Sequence, residues 1–263
     1  MLYKQIKVDF LLNKITNKDK LFAGNYTIDP YQNCEFGCLY CDSSFDKTIF
    51  IKTNAAEILK KELETAKKGT IIVGSVHDPY QRAEEELEIT RDLLKTIKKH
   101  DFSCHVLTKS DLVIRDVDIL SEIDNCIVTI SNASLKDSIS KIFEKNVPLP
   151  KVRLGTIEKL TKNGIRSGLA VLPVFPYIVE KELDDIVSSA KNHNAKYLLH
   201  KHLELKGDQK PCFINILKNF YPDFVSKYEK LYENSYMPDD EYISRINGLI
   251  KESCKNHNIK NEI

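Results

Sequence analysis

Apolar and polar positions along this chain fall into two alternating rhythms. Short β-branched runs, "NYTID", "GTIIVGS", "FSCHVLTKS", "NCIVTISN", "RSGLAVLPVFP" and "KYLLHKHLEL", predict strands bounded by small or turn-forming residues. Between them apolar residues recur at helical spacing. In "NAAEILKKELETAKK" Ile58, Leu59 and Leu63 share a face, with Asn54 read as the helix N-cap. In "AEEELEITRDLLKTIKKH" a helix is expected to carry Leu87, Leu94 and Ile97 on one stripe, its acids early and lysines late to suit the helix dipole. "RDVDILSEI" predicts a short helix, "KVRLGTIEKLTKNGI" a helix stopped at Gly164, and "EKELDDIVSSAKNHN" a further one.

Repeated strand-then-helix units require parallel strands joined by right-handed crossovers. The expected fold class is therefore α/β, a partial TIM barrel of about six βα units with a parallel sheet, over residues 1–207. From 208 to 263 the pattern turns helical and aromatic with balanced acids and bases, which predicts a helical C-terminal extension packed on the barrel. There is no internal repeat, low-complexity tract or Pro/Gly/Ser linker.

Composition narrows the setting. A chain of 263 residues, 42% hydrophobic and 29% charged, is long enough for one large α/β domain and is composed like an ordinary globular protein. Net charge is +1, so the global basic footprint of a dedicated phosphate-backbone binder is missing. No apolar run approaches the roughly 18 residues of a membrane span, and the N-terminal stretch lacks a secretory apolar region. A cytoplasmic chain with no membrane partner is expected. The cysteine count, 7, is odd, and the clustered thiols sit too close for a disulfide framework, which fits a reducing compartment. Cys104 and Cys126 lie in apolar runs and are read as small buried hydrophobes, while Cys212 and Cys254 stand isolated.

In barrels of this kind, function gathers at the carboxyl ends of the strands, because the loops there surround a common cavity. The conspicuous residues fall at that end: the cysteines after the first strand, "GSVHDPY" after the second, "TKS" after the third and "SNAS" after the fourth. Cys34, Cys38 and Cys41 form C-x3-C-x2-C. A structural zinc asks for a closed set of four ligands and a four-iron cubane also asks for four. Three cysteines with no fourth nearby leave one iron open to an outside ligand. His77 is the residue that could instead close a zinc site, making the chain a zinc-stabilised, non-catalytic nucleic-acid-binding module.

"CEFGCLYC" resembles the signature loop of the radical S-adenosylmethionine (SAM) superfamily. The blocks "GNYTIDPYQNCEFGCLYC", "GSVHDPYQRAE", "HVLTKSDLVIRDVDIL", "VTISNAS", "RLGTIEKLTKNGI" and "GLAVLPVFP" are similar, in order, to uncharacterised relatives of spore photoproduct lyase, often called DNA repair photolyase-like. The resemblance implies a 4Fe-4S cluster on Cys34, Cys38 and Cys41 whose open iron is chelated by SAM. Reductive cleavage of SAM would then give a 5′-deoxyadenosyl radical that abstracts hydrogen from a substrate, with a nucleic acid base lesion as one candidate. It also implies an electron donor of flavodoxin or ferredoxin type. Tyr40 would pack by the adenine, and Ser75, Lys109 and Ser131 would contact SAM, Lys109 at the methionyl carboxylate. His77, Asp78, Tyr80 and Asp42 are candidate substrate contacts, and Gln81 is expected to line the cavity or open the next helix. Two departures stand out. The lyase carries a hydrogen-returning cysteine where this chain has Gly74, and a tyrosine where it has Asp42, so spore photoproduct repair itself is not expected.

Overall fold

The computed structural model describes residues 1–16, 21–44 and 46–263. β1 (Leu2–Ile6) runs parallel to β5 (Thr48–Lys52), and β2 (Asn13–Lys14) pairs antiparallel with β3 (Tyr26–Ile28). β4 (Tyr31–Gln32) pairs antiparallel with β5, completing a small three-stranded sheet that the sequence pattern did not predict. Its first strand is almost wholly exposed and so shows no alternation to read.

The larger sheet holds β3, β6 (Thr70–Val73), β7 (Ser103–Thr108), β8 (Ile127–Ser131), β9 (Arg166–Val174) and β10 (Leu198–His202) side by side in chain order, all parallel, with β2 at its edge. Each of the six predicted strands is present. Among the described residues β10 pairs only with β9, so the barrel stays open, as the partial-barrel reading requires.

The strands are joined by α1 (Ala55–Leu63), α2 (Ala83–Leu87), α3 (Ile89–Lys99), α4 (Val117–Leu120), α5 (Asp137–Phe143), α6 (Pro150–Lys162) and α7 (Leu183–Asn192). Two local expectations are modified. Asn54 stands at the N-cap position of α1 as expected but makes no side-chain cap bond; its side-chain amide exchanges a pair of 2.9 Å hydrogen bonds with the backbone of Val8 and ties down the chain's first segment. The helix expected over residues 83–100 breaks at Glu88, which is left-handed with φ 50°. The buried Glu84 carboxylate accepts the amides of Thr90 and Arg91 and so caps α3 from within α2, leaving Leu87 exposed while Leu94 and Ile97 are buried.

Alternation along β9 and β10 separates two cores. Leu169, Val171 and Leu198 belong to the main core shared with the helices, whereas Ala170, Leu172, Tyr197 and Leu199 fill the lumen with Phe22. Gly168 makes room there: a Cβ would lie 2.4 Å from the Tyr197 ring. α8 (Gln209–Phe220), α9 (Val225–Leu231) and α10 (Asp240–Asn256) form the helical tail. Tyr228 and Tyr232 donate to the carbonyls of Pro176 and Leu203, just past the carboxyl ends of β9 and β10, and an aromatic column runs inward through Phe213, Phe143 and Phe175 to Tyr40. Cys104 and Cys126 are buried as expected, with their sulfurs 3.5 Å apart. Among the described residues no helix is long and apolar enough to cross a membrane.

Candidate active site

The small sheet positions the cysteine loop. β4 ends at Gln32 and β5 begins at Thr48, so their pairing closes residues 33–47 as a loop with fixed ends. Gln81, fully buried, then clamps it: its Oε1 accepts the amide of Glu35 at 3.0 Å and its Nε2 donates to the carbonyl of Asn33 at 3.3 Å. The Glu35 carboxylate takes the amide of Ala83 and the hydroxyl of Tyr3, and the Leu39 amide bonds Phe143 at the end of α5.

Held this way, Cys34, Cys38 and Cys41 all line one cavity of about 330 Å³ at the carboxyl ends of the parallel strands. No disulfide engages them. Burial, reinforced by the Asp78 carboxylate, pushes the Cys34 thiol up to about 12, and burial raises Cys38 as well. Thiols in such a place ionise when a metal centre compensates the charge. Among the described residues no three His, Cys, Asp or Glu side chains gather as around a single ion. A polynuclear cluster instead takes its sulfurs at separate corners, and three free thiols facing one cavity fit that need.

The opposite wall comes from successive strand ends. Asp29, one residue past β3, accepts Ser75 Oγ at 3.0 Å on one oxygen and the amides of Val76 and His77 at 3.0 Å on the other, which folds the turn after β6. Asp78 accepts the Lys109 amide at 2.7 Å, the Thr108 hydroxyl at 2.6 Å and the Tyr80 amide at 2.9 Å, and thereby fixes the end of β7. Burial favours the neutral Lys109 amine, yet Cys38, Glu144 and Asp78 outweigh it and hold its ammonium above the ordinary lysine range. Among the described residues no side chain bonds that ammonium, which stands 6.0 Å from the Tyr40 ring. Ser131, at the end of β8, completes the wall.

Residues 28–190 match the family model of the Radical SAM superfamily. The chain belongs to the radical SAM superfamily. An uncharacterised protein of Methanocaldococcus jannaschii is 27% identical over 249 residues, covering 91% of both chains. One of Mycobacterium tuberculosis is 27% identical over 248 residues, covering 86% of this chain and 73% of its own. Among solved structures, a spore photoproduct lyase variant with bound AdoMet and dinucleoside spore photoproduct superposes with TM-score 0.70 at 12% identity, over 96% of this chain and 79% of that one. At that identity the likeness is one of fold. Radical SAM membership implies S-adenosylmethionine and an iron–sulfur cluster, and the donor set described above suits both.

In this radical SAM protein the cavity brings together Cys34, Cys38, Cys41, Tyr40, Asp42, Ser75, Asp78, Lys109 and Ser131. Two substrate expectations change. His77 is not among the residues that line the cavity, and its amide donates to Asp29 at 3.0 Å. Tyr80 is also outside: its ring is buried and its hydroxyl donates to Asp116 at 2.9 Å. Asp78 lines the cavity, and its oxygens also accept from Lys109, Thr108 and Tyr80.

Sequence reasoning missed Asp29, Glu144, Arg153 and His202. Asp29 directly follows β3, the position that marks cavity residues elsewhere in the barrel, and that signal was available. Arg153 precedes Ile157 and Leu160 at helical spacing, on a stripe that faces inward, so its burial was legible although its partner was not. His202 lines the cavity, with Nε2 2.9 Å from Asn247 of α10 and a buried Nδ1 that has no hydrogen-bond partner among the described residues.

Proposed function

We propose that this protein is a radical SAM enzyme that holds a 4Fe-4S cluster on Cys34, Cys38 and Cys41 and abstracts hydrogen from a substrate by means of S-adenosylmethionine. The observation that carries the reading is the meeting, in one cavity, of three free thiols with Lys109, an ammonium that no described side chain hydrogen-bonds. When bound, the cluster supplies the electron that cleaves SAM to methionine and a 5′-deoxyadenosyl radical. Lys109 is the partner for the methionyl carboxylate, a charge-assisted contact. Ser75 and Ser131 offer hydroxyls on the facing walls, and Tyr40 presents a fixed ring between two of the ligand cysteines. An electron donor of flavodoxin or ferredoxin type would supply the reducing equivalent.

The substrate differs from that of spore photoproduct lyase, since the wall beside Ser75 is the bare backbone of Gly74 and carries no thiol to return hydrogen. Other nucleic acid base lesions remain within the reading. The test is anaerobic reconstitution with iron and sulfide, reduction with dithionite and assay for 5′-deoxyadenosine. Product is expected from the unsubstituted chain and none from C34A/C38A/C41A. Equal output from both, or one zinc per chain in place of iron and sulfide, would overturn the proposal.

A further inference from the structure

Glu144, at the end of α5, and Arg153, on α6, form an ion pair with Nη2 2.6 Å from Oε2 and side-chain exposures of 2% and 0%. Neither lines the cavity, yet each grips something that does. The other Glu144 oxygen accepts the Tyr40 hydroxyl at 2.5 Å. Arg153 Nη1 donates to the carbonyl of Ser131 at 3.0 Å, and Nη2 also reaches Ser140 Oγ at 2.9 Å. One buried pair thus connects the cysteine loop to the end of β8.

Stability is a poor reason for such a pair. Desolvating two charges offsets most of their attraction, and well-packed apolar replacements often do as well. What apolar residues would not do is fix the Tyr40 ring. That ring has an edge-to-face contact with Phe175 at 5.3 Å, and its hydroxyl donates to Glu144 at 2.5 Å with the Cys38 thiol beside it. With hydroxyl and edge both held, the ring keeps one orientation in the cavity wall, and the same pair holds the Ser131 backbone.

We propose that Glu144 and Arg153 are positioning residues that set Tyr40 and the β8 terminus to receive the adenosyl half of S-adenosylmethionine. The inference rests on the radical SAM reading and adds to it residues that touch neither cofactor nor substrate. Their removal is felt as lost cofactor affinity, with the cluster still in place.

The experiment is anaerobic calorimetric titration of S-adenosylmethionine into reconstituted protein, for the unsubstituted chain, E144Q, Y40F and E144Q/Y40F, with iron and sulfide content and melting temperature recorded for each. E144Q and Y40F are each expected to weaken binding by about tenfold, as loss of supporting contacts around a ligand shell does. Iron content should not change, and the double variant should bind no worse than either single one, because both act through one contact. Full affinity in E144Q, or losses that add in the double variant, would overturn the inference. Absence of binding in the unsubstituted chain would instead strike the radical reading itself. If E144Q does not fold, E144L/R153M, which removes both buried charges together, carries the test: weakened binding supports the inference and full affinity overturns it.

Discussion

Pro79 occupies the space that a side chain on Gly74 would need. A Cβ at Gly74 would lie 2.3 Å from Cδ of Pro79 and 2.8 Å from the carbonyl oxygen of Leu107, and the backbone there has φ +85°, a conformation that side-chain-bearing residues rarely adopt. The two obstacles are independent, one being contact and the other torsion. Gly74→Cys is therefore expected to lose about 2–4 kcal/mol of stability, from left-handed strain and overpacking together, measured by denaturant unfolding of the cluster-free chain. A neutral substitution would show that the turn can rearrange and that a hydrogen-returning thiol could be housed there.

Tyr80 belongs to a buried polar network beside the cavity. Its hydroxyl reaches Asp116, which also receives Arg91 at 2.7 Å and Arg115 at 2.9 Å. Asp116 keeps both guanidinium partners in Tyr80→Phe, so the expected loss is that of one hydrogen bond, about 1 kcal/mol. Affinity for S-adenosylmethionine should not move. A drop in affinity with unchanged stability would place the phenol in the cavity after all.

These two sites mark where the sequence was readable. The six strands were legible because parallel strands buried on both faces are nearly continuous β-branched runs. The thiol loop was legible because its donors are adjacent in the chain. The small sheet was not, since β1 and β5 are separated by more than forty residues and the exposed strand carries no apolar rhythm. The place of Tyr80 was misjudged for a related reason: a strand-end position tells which side chains are near the cavity, whereas the partner that captures this one, Asp116, comes from a distant segment.

His200 and His202 both place Nε2 on the Asn247 oxygen, at 2.8 and 2.9 Å. Burial lowers the pKa of each below the ordinary histidine value, and the Asn247 contact opposes this only in part. The unfolded chain then binds more protons than the folded one on the acid side of about pH 6.5. Stability should be full above that value and decline as pH falls through the histidine range. Replacing both histidines with glutamine should flatten the decline between pH 7 and 5, followed by thermal melting; an unchanged slope would assign acid sensitivity to other groups.

Gln81 gives the most direct link between the second strand's loop and the thiols. It satisfies the Glu35 amide and the Asn33 carbonyl on either side of Cys34, so the ligand loop is held by an amide that lies outside the loop. Gln81→Ala leaves two backbone groups without their partners in a region that is buried at Glu35 and Cys34, an expected loss of about 1–3 kcal/mol each, reduced where water enters. That loss is local, because α2 and α3 are anchored separately through Glu84 and Arg115. The folded chain should therefore survive while the loop loosens. Iron retained after a chelator challenge should fall about 10–100-fold faster than in the unsubstituted protein, and Gln81→Glu, which keeps an acceptor for the Glu35 amide but no donor for Asn33, should fall between the two. Equal retention in all three would mean that the pairing of β4 with β5 alone fixes the thiols.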